Sequence, residues 1–184
     1  MGAADRNGIT VSFIQSIFFE FGSGVVLRDT GINWQNRGAS FSLDETATNA
    51  LKPGRKPFHT LNPALAHLAD GRVMSYGTMG GEGQPQTQSA IFSRYAMFGG
   101  GLQAAVSAPR WLLGKTWGDE TTTLKLESNF DPTVAKGLEA AGHDVEMVEE
   151  FSDVMGHAGA VVVHPDGLLE GATDPRSDGS VASV

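Results

Sequence analysis

The residues of this chain best placed to do chemistry lie between Lys56 and Gln88, in the run KPFHTLNPALAHLADGRVMSYGTMGGEGQPQTQ. Gly80 and Gly81 stand where an apolar segment, Val73 to Gly77, hands over to a helical pattern. Bare backbone N–H groups at such a handover bind anions, or hold the oxyanion of an acyl-transfer intermediate. A glycine pair is equally an ordinary strand-to-helix turn. Upstream, His59 and Thr60 can both donate hydrogen bonds, or can cap a turn. Ser16 sits in an otherwise apolar run, as a satisfied core hydroxyl or as a partner to a nucleophile. None of these residues comes with an evident general base in sequence, so no complete catalytic set assembles from them alone.

Other candidates are weaker. The five histidines are scattered and none has metal-ligand spacing; His157 and His164 flank a predicted hairpin strand and read better as loop or core histidines than as ligands. Asp174 and Asp178 flank Arg176, which suits a tail ion pair and turn better than a catalytic carboxylate pair. No G-x-S-x-G, P-loop or G-x-G-x-x-G motif occurs. Zero cysteines removes thiol catalysis, thiolate metal sites and disulfides, and leaves the redox compartment open. No cofactor is implied.

The elements that must position these residues follow from periodicity and punctuation. Asn7-Gly8 is a turn signal, and Ile9 to Phe19 reads as a strand that becomes buried on both faces. Val25 to Leu27 suggests a short strand, and Asp44 to Arg55 a surface loop. Leu61 to Leu68 and Val73 to Gly77 flank the Asp70-Gly71 turn as a hairpin. Ala90, Ile91, Arg94, Tyr95 and Phe98 recur on a helical period within Pro85 to Phe98, and Leu102 to Ala108 is a second helix stopped by Pro109. Thr121 to Glu127 and Val145 to Val148 read as strands on either side of a helix over Pro132 to Ala141, capped by Asp131 and closed by Gly142. Ala158 to Leu169 is a hairpin turning at His164-Pro165-Asp166-Gly167. A polar tail, Ala172 to Val184, wraps a surface. Strands at both ends around a helical middle fit an α+β fold, an antiparallel sheet covered by helices.

The 184 residues fit one domain, 1–184. A net charge of −8 with no basic stripe argues against a nucleic-acid or anionic-membrane partner. No apolar run approaches the roughly 20 residues that span a bilayer. Met1 to Asp5 lacks the features of a signal peptide, and Arg6 occupies the position where a myristoylation start needs Ser or Thr. Cytoplasmic and periplasmic locations both remain open. Glycine is abundant, at 24 residues, which points to tight turns and close backbone packing.

Taken in order, the pieces resemble the small subunit of the γ-glutamyltranspeptidase family of N-terminal nucleophile hydrolases. The residues that carry the resemblance begin with Ala4-Asp5, Asn7-Gly8, Val11-Ser12 leading to Ser16, and Phe21-Gly22-Ser23-Gly24. Gly31-Ile32, Gln35-Asn36-Arg37-Gly38 and Phe41-Ser42 follow, then the run Lys56 to Pro63 and Gly77-Thr78-Met79-Gly80-Gly81. Ala108-Pro109-Arg110 and Gly171 to Ser177 complete the set, which covers nearly the whole chain. The resemblance implies an αββα sandwich. It also implies a precursor that cleaves itself, and a small-subunit N-terminal threonine that attacks a γ-glutamyl or related acyl amide with its own amine as base. The acyl group then passes to water or to an acceptor amine. On this resemblance Gly80 and Gly81 supply the oxyanion-hole N–H groups, Ser16 hydrogen-bonds the nucleophile, and His59 and Thr60 fall where two serines contact the substrate carboxylate.

The departures from the family pattern are informative. Ser40 stands where typical members carry an aspartate that grips the donor's α-amino group, Arg37 replaces a common glutamine and Phe18 a common asparagine. Losing a carboxylate and gaining a cation disfavours an α-ammonium group and favours a dicarboxylic acyl chain, which places the chain nearer the acylase-like branch of glutaryl and cephalosporin acylases. The short Ser42–Pro57 segment has no tyrosine, so the lid seen in some members is expected to be missing. Aligned on Asp5 and Gly8, the nucleophilic threonine falls just ahead of Met1. The chain is therefore expected to be inactive without that residue and its large-subunit partner. The competing reading is a non-catalytic module that binds a partner chain or an acyl ligand. A third is an independent hydrolase using Ser16 or Thr60 with a local histidine.

Overall fold

A computed structural model describes residues 1–115 and 121–183. Its contacts divide the chain into two compact units: Met1–Phe13 with Asn62–Val184, and Ile14–Leu61.

In the first unit, β1 (Gly2–Ala4) and β2 (Thr10–Ser12) pair antiparallel around a turn in which Asp5 Oδ1 accepts the N–H groups of Asn7 and Ile9, each at 2.9 Å. β3 (Ala64–His67) and β4 (Val73–Thr78) form the expected hairpin, with Asp70 Oδ1 accepting the Arg72 N–H in the turn. β4 leads through Gly80 and a 3₁₀ turn into α1 (Gln84–Phe92), where Pro85 occupies the first turn and so forfeits no helical hydrogen bond. The helix widens to a π-turn over Ser93–Met97, where the Ser93 hydroxyl donates to the Ser89 carbonyl at 2.8 Å and competes with the regular ladder. α2 (Leu102–Ser107) follows the three glycines Gly99 to Gly101.

β5 (Trp111–Leu113) pairs antiparallel with β6 (Leu124–Glu127), and β6 pairs parallel with β7 (Val145–Val148) across the crossover helix α3 (Pro132–Ala140). Asp131 caps that helix as expected, accepting the Thr133 N–H at 2.8 Å. β8 (Ala158–Val163) and β9 (Leu169–Thr173) close a four-stranded antiparallel sheet of order β3-β4-β8-β9.

The two faces of this sheet differ. Met74, Ala158, Ala160, Val162 and Ala172 point to one face and form a core with Ile91, Tyr95, Leu102, Ala105 and Val106 from the helical layer. Burying a Met, Leu, Ile or Val side chain in such a core contributes about 1.5–3 kcal/mol. Alternation turns Ser75 and Val161 to the opposite face, under the β1–β2 hairpin. There the Ser75 hydroxyl donates to the Val11 carbonyl at 2.8 Å, and a Cβ on Gly2 would lie 3.3 Å from Val161 Cγ2. Helices on one face of an antiparallel sheet make this an α+β fold.

The second unit is mostly irregular. It contains a 3₁₀ turn over Arg37–Ser40 and isolated bridges Val26↔Asn33 and Ser42↔Ala50. Two strand expectations fail here. Of Ile9 to Phe19, only Thr10–Ser12 is a strand, because the Ser16 hydroxyl accepts the Phe18 N–H at 2.9 Å and the chain turns through Phe18 at φ 79°. Phe13 and Phe19 are correspondingly exposed rather than buried on both faces. Val25 to Leu27 contributes one bridge, not a strand.

The tail also departs from expectation. β9 extends through Thr173, and Asp174 and Arg176 are buried rather than laid on the surface. Val184 lies outside the described residues.

Candidate functional site

β4 ends at Thr78, and the next three residues carry the backbone away from the sheet. Met79 donates its N–H to the His157 carbonyl at 2.9 Å, extending the β4–β8 ladder by one bond. Gly80 then adopts φ 140° and Gly81 φ 53°, conformations that favour glycine. Among the described residues neither the Gly80 nor the Gly81 N–H donates a hydrogen bond. Gly80 itself is buried. Two adjacent donors left without an acceptor at the mouth of a helix suit an anion or a developing oxyanion.

A strap over residues 152–158 packs against this turn. A Cβ on Gly80 would lie 3.4 Å from Gly156 Cα, and a Cβ on Gly156 would collide with the Met79 carbonyl oxygen. The strap is held by a buried ion cluster. Arg110 Nη1 donates to the Gly156 carbonyl at 2.9 Å, and its Nη2 pairs with Asp174 Oδ2 at 2.6 Å. The same carboxylate oxygen accepts the Ala158 N–H at 2.6 Å. Arg176 Nη1 reaches Asp174 Oδ1 at 3.0 Å, and its guanidinium also pairs with Glu127, which accepts the Arg110 N–H at 2.8 Å. Two cations and two carboxylates balance. Burial pulls Arg110 below the usual arginine range while Asp174 opposes it. For Arg176 burial acts in the same sense, but its bonds to Glu127 and Asp174 outweigh it and raise the group. Both remain cations at any physiological pH.

In the Ile14–Leu61 unit the structure brings together Ser16, Arg37 and Thr60. Arg37 is 5% exposed, donates from Nη1 to Thr60 Oγ1 at 3.0 Å and from Nη2 to Ser16 Oγ at 3.5 Å, and lies 4.5 Å above the Phe18 ring. Among the described residues no carboxylate pairs with it. A buried cation held only by hydroxyls and an aromatic face retains capacity for an anion. The Ser40 hydroxyl donates to the Arg37 carbonyl at 2.8 Å, so it braces the loop. His59 is exposed, and its Nδ1 accepts the Leu61 N–H at 3.2 Å, which is a turn role.

His157 and His164 occupy opposite ends of β8, and among the described residues no cluster of three His, Cys, Asp or Glu could hold a metal. No hydrogen bond joins a serine or threonine hydroxyl to a histidine among the described residues. Sequence reasoning missed two features: the Arg110–Asp174–Arg176–Glu127 cluster and the place of His157 beside the glycine turn. Neither Glu127 at a strand end nor Arg110 after a proline carries a local mark of burial.

The whole chain, residues 1–184, matches the family model described as Gamma-glutamyltranspeptidase. It is 64% identical over 182 residues to an oxamate amidohydrolase proenzyme of Klebsiella pneumoniae, covering 99% of this chain and 34% of that protein. It is 47% identical over 180 residues to the glutathione hydrolase-like YwrD proenzyme of Bacillus subtilis, covering 98% of this chain and 34% of that protein. Its structure superposes on the cephalosporin acylase from Bacillus halodurans with a TM-score of 0.81 at 36% identity, over 98% of this chain and 33% of that one. The chain spans about a third of the length of the curated relatives it matches.

Proposed function

The chain belongs to the γ-glutamyltranspeptidase family and has an α+β fold of the N-terminal nucleophile hydrolase type, and from that premise we propose that it forms part of an amidohydrolase that cleaves a small amide bearing a carboxylate on its acyl side. The observation that carries the proposal is the pair of N–H groups at Gly80 and Gly81, which donate no hydrogen bond among the described residues. They hold the oxyanion that forms when a nucleophile adds to the amide carbonyl, and such a donor is worth about 10²–10³ in rate. Arg37, held by Thr60 and Ser16, is a further anion-binding group of the chain. Ser40 supplies no carboxylate to grip an α-ammonium group, and its hydroxyl is already engaged by the Arg37 carbonyl.

The nucleophile is a threonine carried just ahead of Met1 in the precursor. The register supports that placement. β2 runs with Val11 against Ser75 and Ser12 against Tyr76, so the antiparallel β1 points its Met1 end toward Gly77 and Gly159, the side on which β4 reaches Gly80. A larger subunit of the same precursor completes the enzyme, and the 184-residue chain alone is inactive.

Oxamate is the substrate we favour, since the 64% identical relative bears the name oxamate amidohydrolase. The reaction adds water across the amide bond to give oxalate and ammonia. γ-Glutamyl and glutaryl amides carry a more distant carboxylate and serve as comparison substrates, with water or an amine as acyl acceptor. The test is ammonia release from oxamate by enzyme matured from the precursor. Turnover of oxamate with little turnover of γ-glutamyl-p-nitroanilide is the expected result. A preference for γ-glutamyl-p-nitroanilide would overturn the substrate assignment.

A further inference from the structure

The structure places a polar group beside the glycine turn that has no role in the proposed chemistry: Nε2 of His157 is buried and, among the described residues, has no hydrogen-bond partner. The backbone around it is fixed on every side. Arg110 holds the Gly156 carbonyl, Asp174 holds the Ala158 N–H, and the His157 carbonyl itself carries the Met79 N–H. Rigidity of this kind, imposed by an ion pair whose side chains are 1% and 0% exposed, is how a scaffold positions a side chain that must meet a ligand.

The direction of the side chain follows from the β8 register. Ala158, Ala160 and Val162 point into the helical core, so His157, Gly159 and Val161 share the opposite face. On that face Gly159 is the cross-strand partner of Gly77. Two paired glycines leave the sheet without side chains between Val161, which lies under Gly2, and His157. The floor toward which the Met1 end of β1 points is therefore bare backbone, bordered by an imidazole at the edge where Gly80 and Gly81 begin. A buried ring nitrogen without a partner is costly, and a polar ligand relieves the cost.

We propose that His157 is a substrate-binding residue, its Nε2 hydrogen-bonding the carboxylate of an amide in which that carboxylate is attached directly to the reacting carbonyl carbon. The inference rests on Gly80 and Gly81 being the oxyanion hole. With the carbonyl oxygen in the hole, a directly attached carboxylate stays beside the hole, within range of a residue whose own backbone is bonded to Met79. The carboxylate of a γ-glutamyl or glutaryl chain is several bonds further away. His157 thus selects for short, oxamate-like acyl groups.

The test uses enzyme matured from the full precursor, comparing wild type, His157→Ala and His157→Gln. The readouts are steady-state hydrolysis of oxamate, calorimetric binding of oxalate and thermal unfolding. His157→Ala should raise KM for oxamate and weaken oxalate binding by about 10- to 100-fold, with kcat changed far less. His157→Gln, whose amide reaches the Nε2 position, should recover most of the loss. Unchanged KM and oxalate binding in His157→Ala would overturn the inference and leave the amidohydrolase reading intact. Equal losses in both variants that track a lowered unfolding temperature would also overturn it, as a purely structural role. A wild-type enzyme that neither cleaves oxamate nor binds oxalate would overturn the functional reading, and this inference with it.

Discussion

Gly156 Cα lies against Gly80 so closely that a Cβ on Gly80 would come within 3.4 Å of it, and Gly156 in turn hangs from Arg110 through a 2.9 Å hydrogen bond. The contact links the glycine turn at the end of β4 to a buried ion cluster drawn from widely separated parts of the sequence. A site made of backbone N–H groups has no side chain to reorient, so its geometry depends on what the backbone is packed against. Here that is another glycine, held by an arginine.

Gly80→Ala should therefore disturb the proposed oxyanion hole without unfolding the protein. Its φ of 140° disfavours any L side chain, while the added methyl would only come into ordinary contact with Gly156. We expect kcat to fall about 10²–10³-fold, the loss typical of one oxyanion donor. Steady-state kinetics together with a far-ultraviolet dichroism spectrum matching wild type would check it; retained kcat would count against the assignment.

Gly156→Ala should be more severe. The methyl would strike the Met79 carbonyl, a backbone atom that cannot swing aside. The expected outcome is loss of soluble, processed enzyme, read by the yield of mature subunits on a denaturing gel.

Removing one member of the ion cluster should cost stability, because the remaining charges stay buried. For Asp174→Asn, about 3–5 kcal/mol is expected. Asp174 is 1% exposed and holds Arg110, Arg176 and the Ala158 N–H together. Denaturant unfolding of the mature enzyme measures it, and a change under 1 kcal/mol would show that the cluster contributes little.

Arg37→Met keeps an apolar stem and removes the guanidinium that lies over Phe18. If Arg37 binds an anion, the charge-assisted hydrogen bond lost corresponds to about 1.5–3 kcal/mol, or roughly 10- to 150-fold weaker binding of a carboxylate-bearing amide. The same substitution should leave an uncharged amide substrate unaffected. Equal losses on charged and uncharged amides would assign Arg37 a structural role.

Much of the first unit was legible in the sequence because local chemistry there agrees with tertiary structure. The β3–β4 hairpin, the helix opened by Pro85, the Asp131 cap and the turn at Pro165-Asp166-Gly167 each announce themselves in a few residues. The glycine pair was legible for the same reason. The apolar run ending at Phe19 misled, because apolar composition marks burial against something and not a strand: Ser16 turns the chain at Phe18.

Two features could not be read along the chain at all. Arg110, Glu127 and Arg176 meet only after folding, and a charged residue in a tail looks solvated until its partners are known. His157 looked like one of five scattered histidines. Only the β4–β8 register shows it beside Met79 and in line with the paired glycines.

The most direct test of the central claim is steady-state ammonia release from oxamate, run side by side on three samples: enzyme matured from the precursor, its Gly80→Ala variant, and the 184-residue chain alone. Our account predicts turnover to oxalate and ammonia by the first, a kcat about 10²–10³ lower in the second, and none in the third. A Gly80→Ala enzyme as active as wild type, or release of ammonia by the isolated chain, would contradict it.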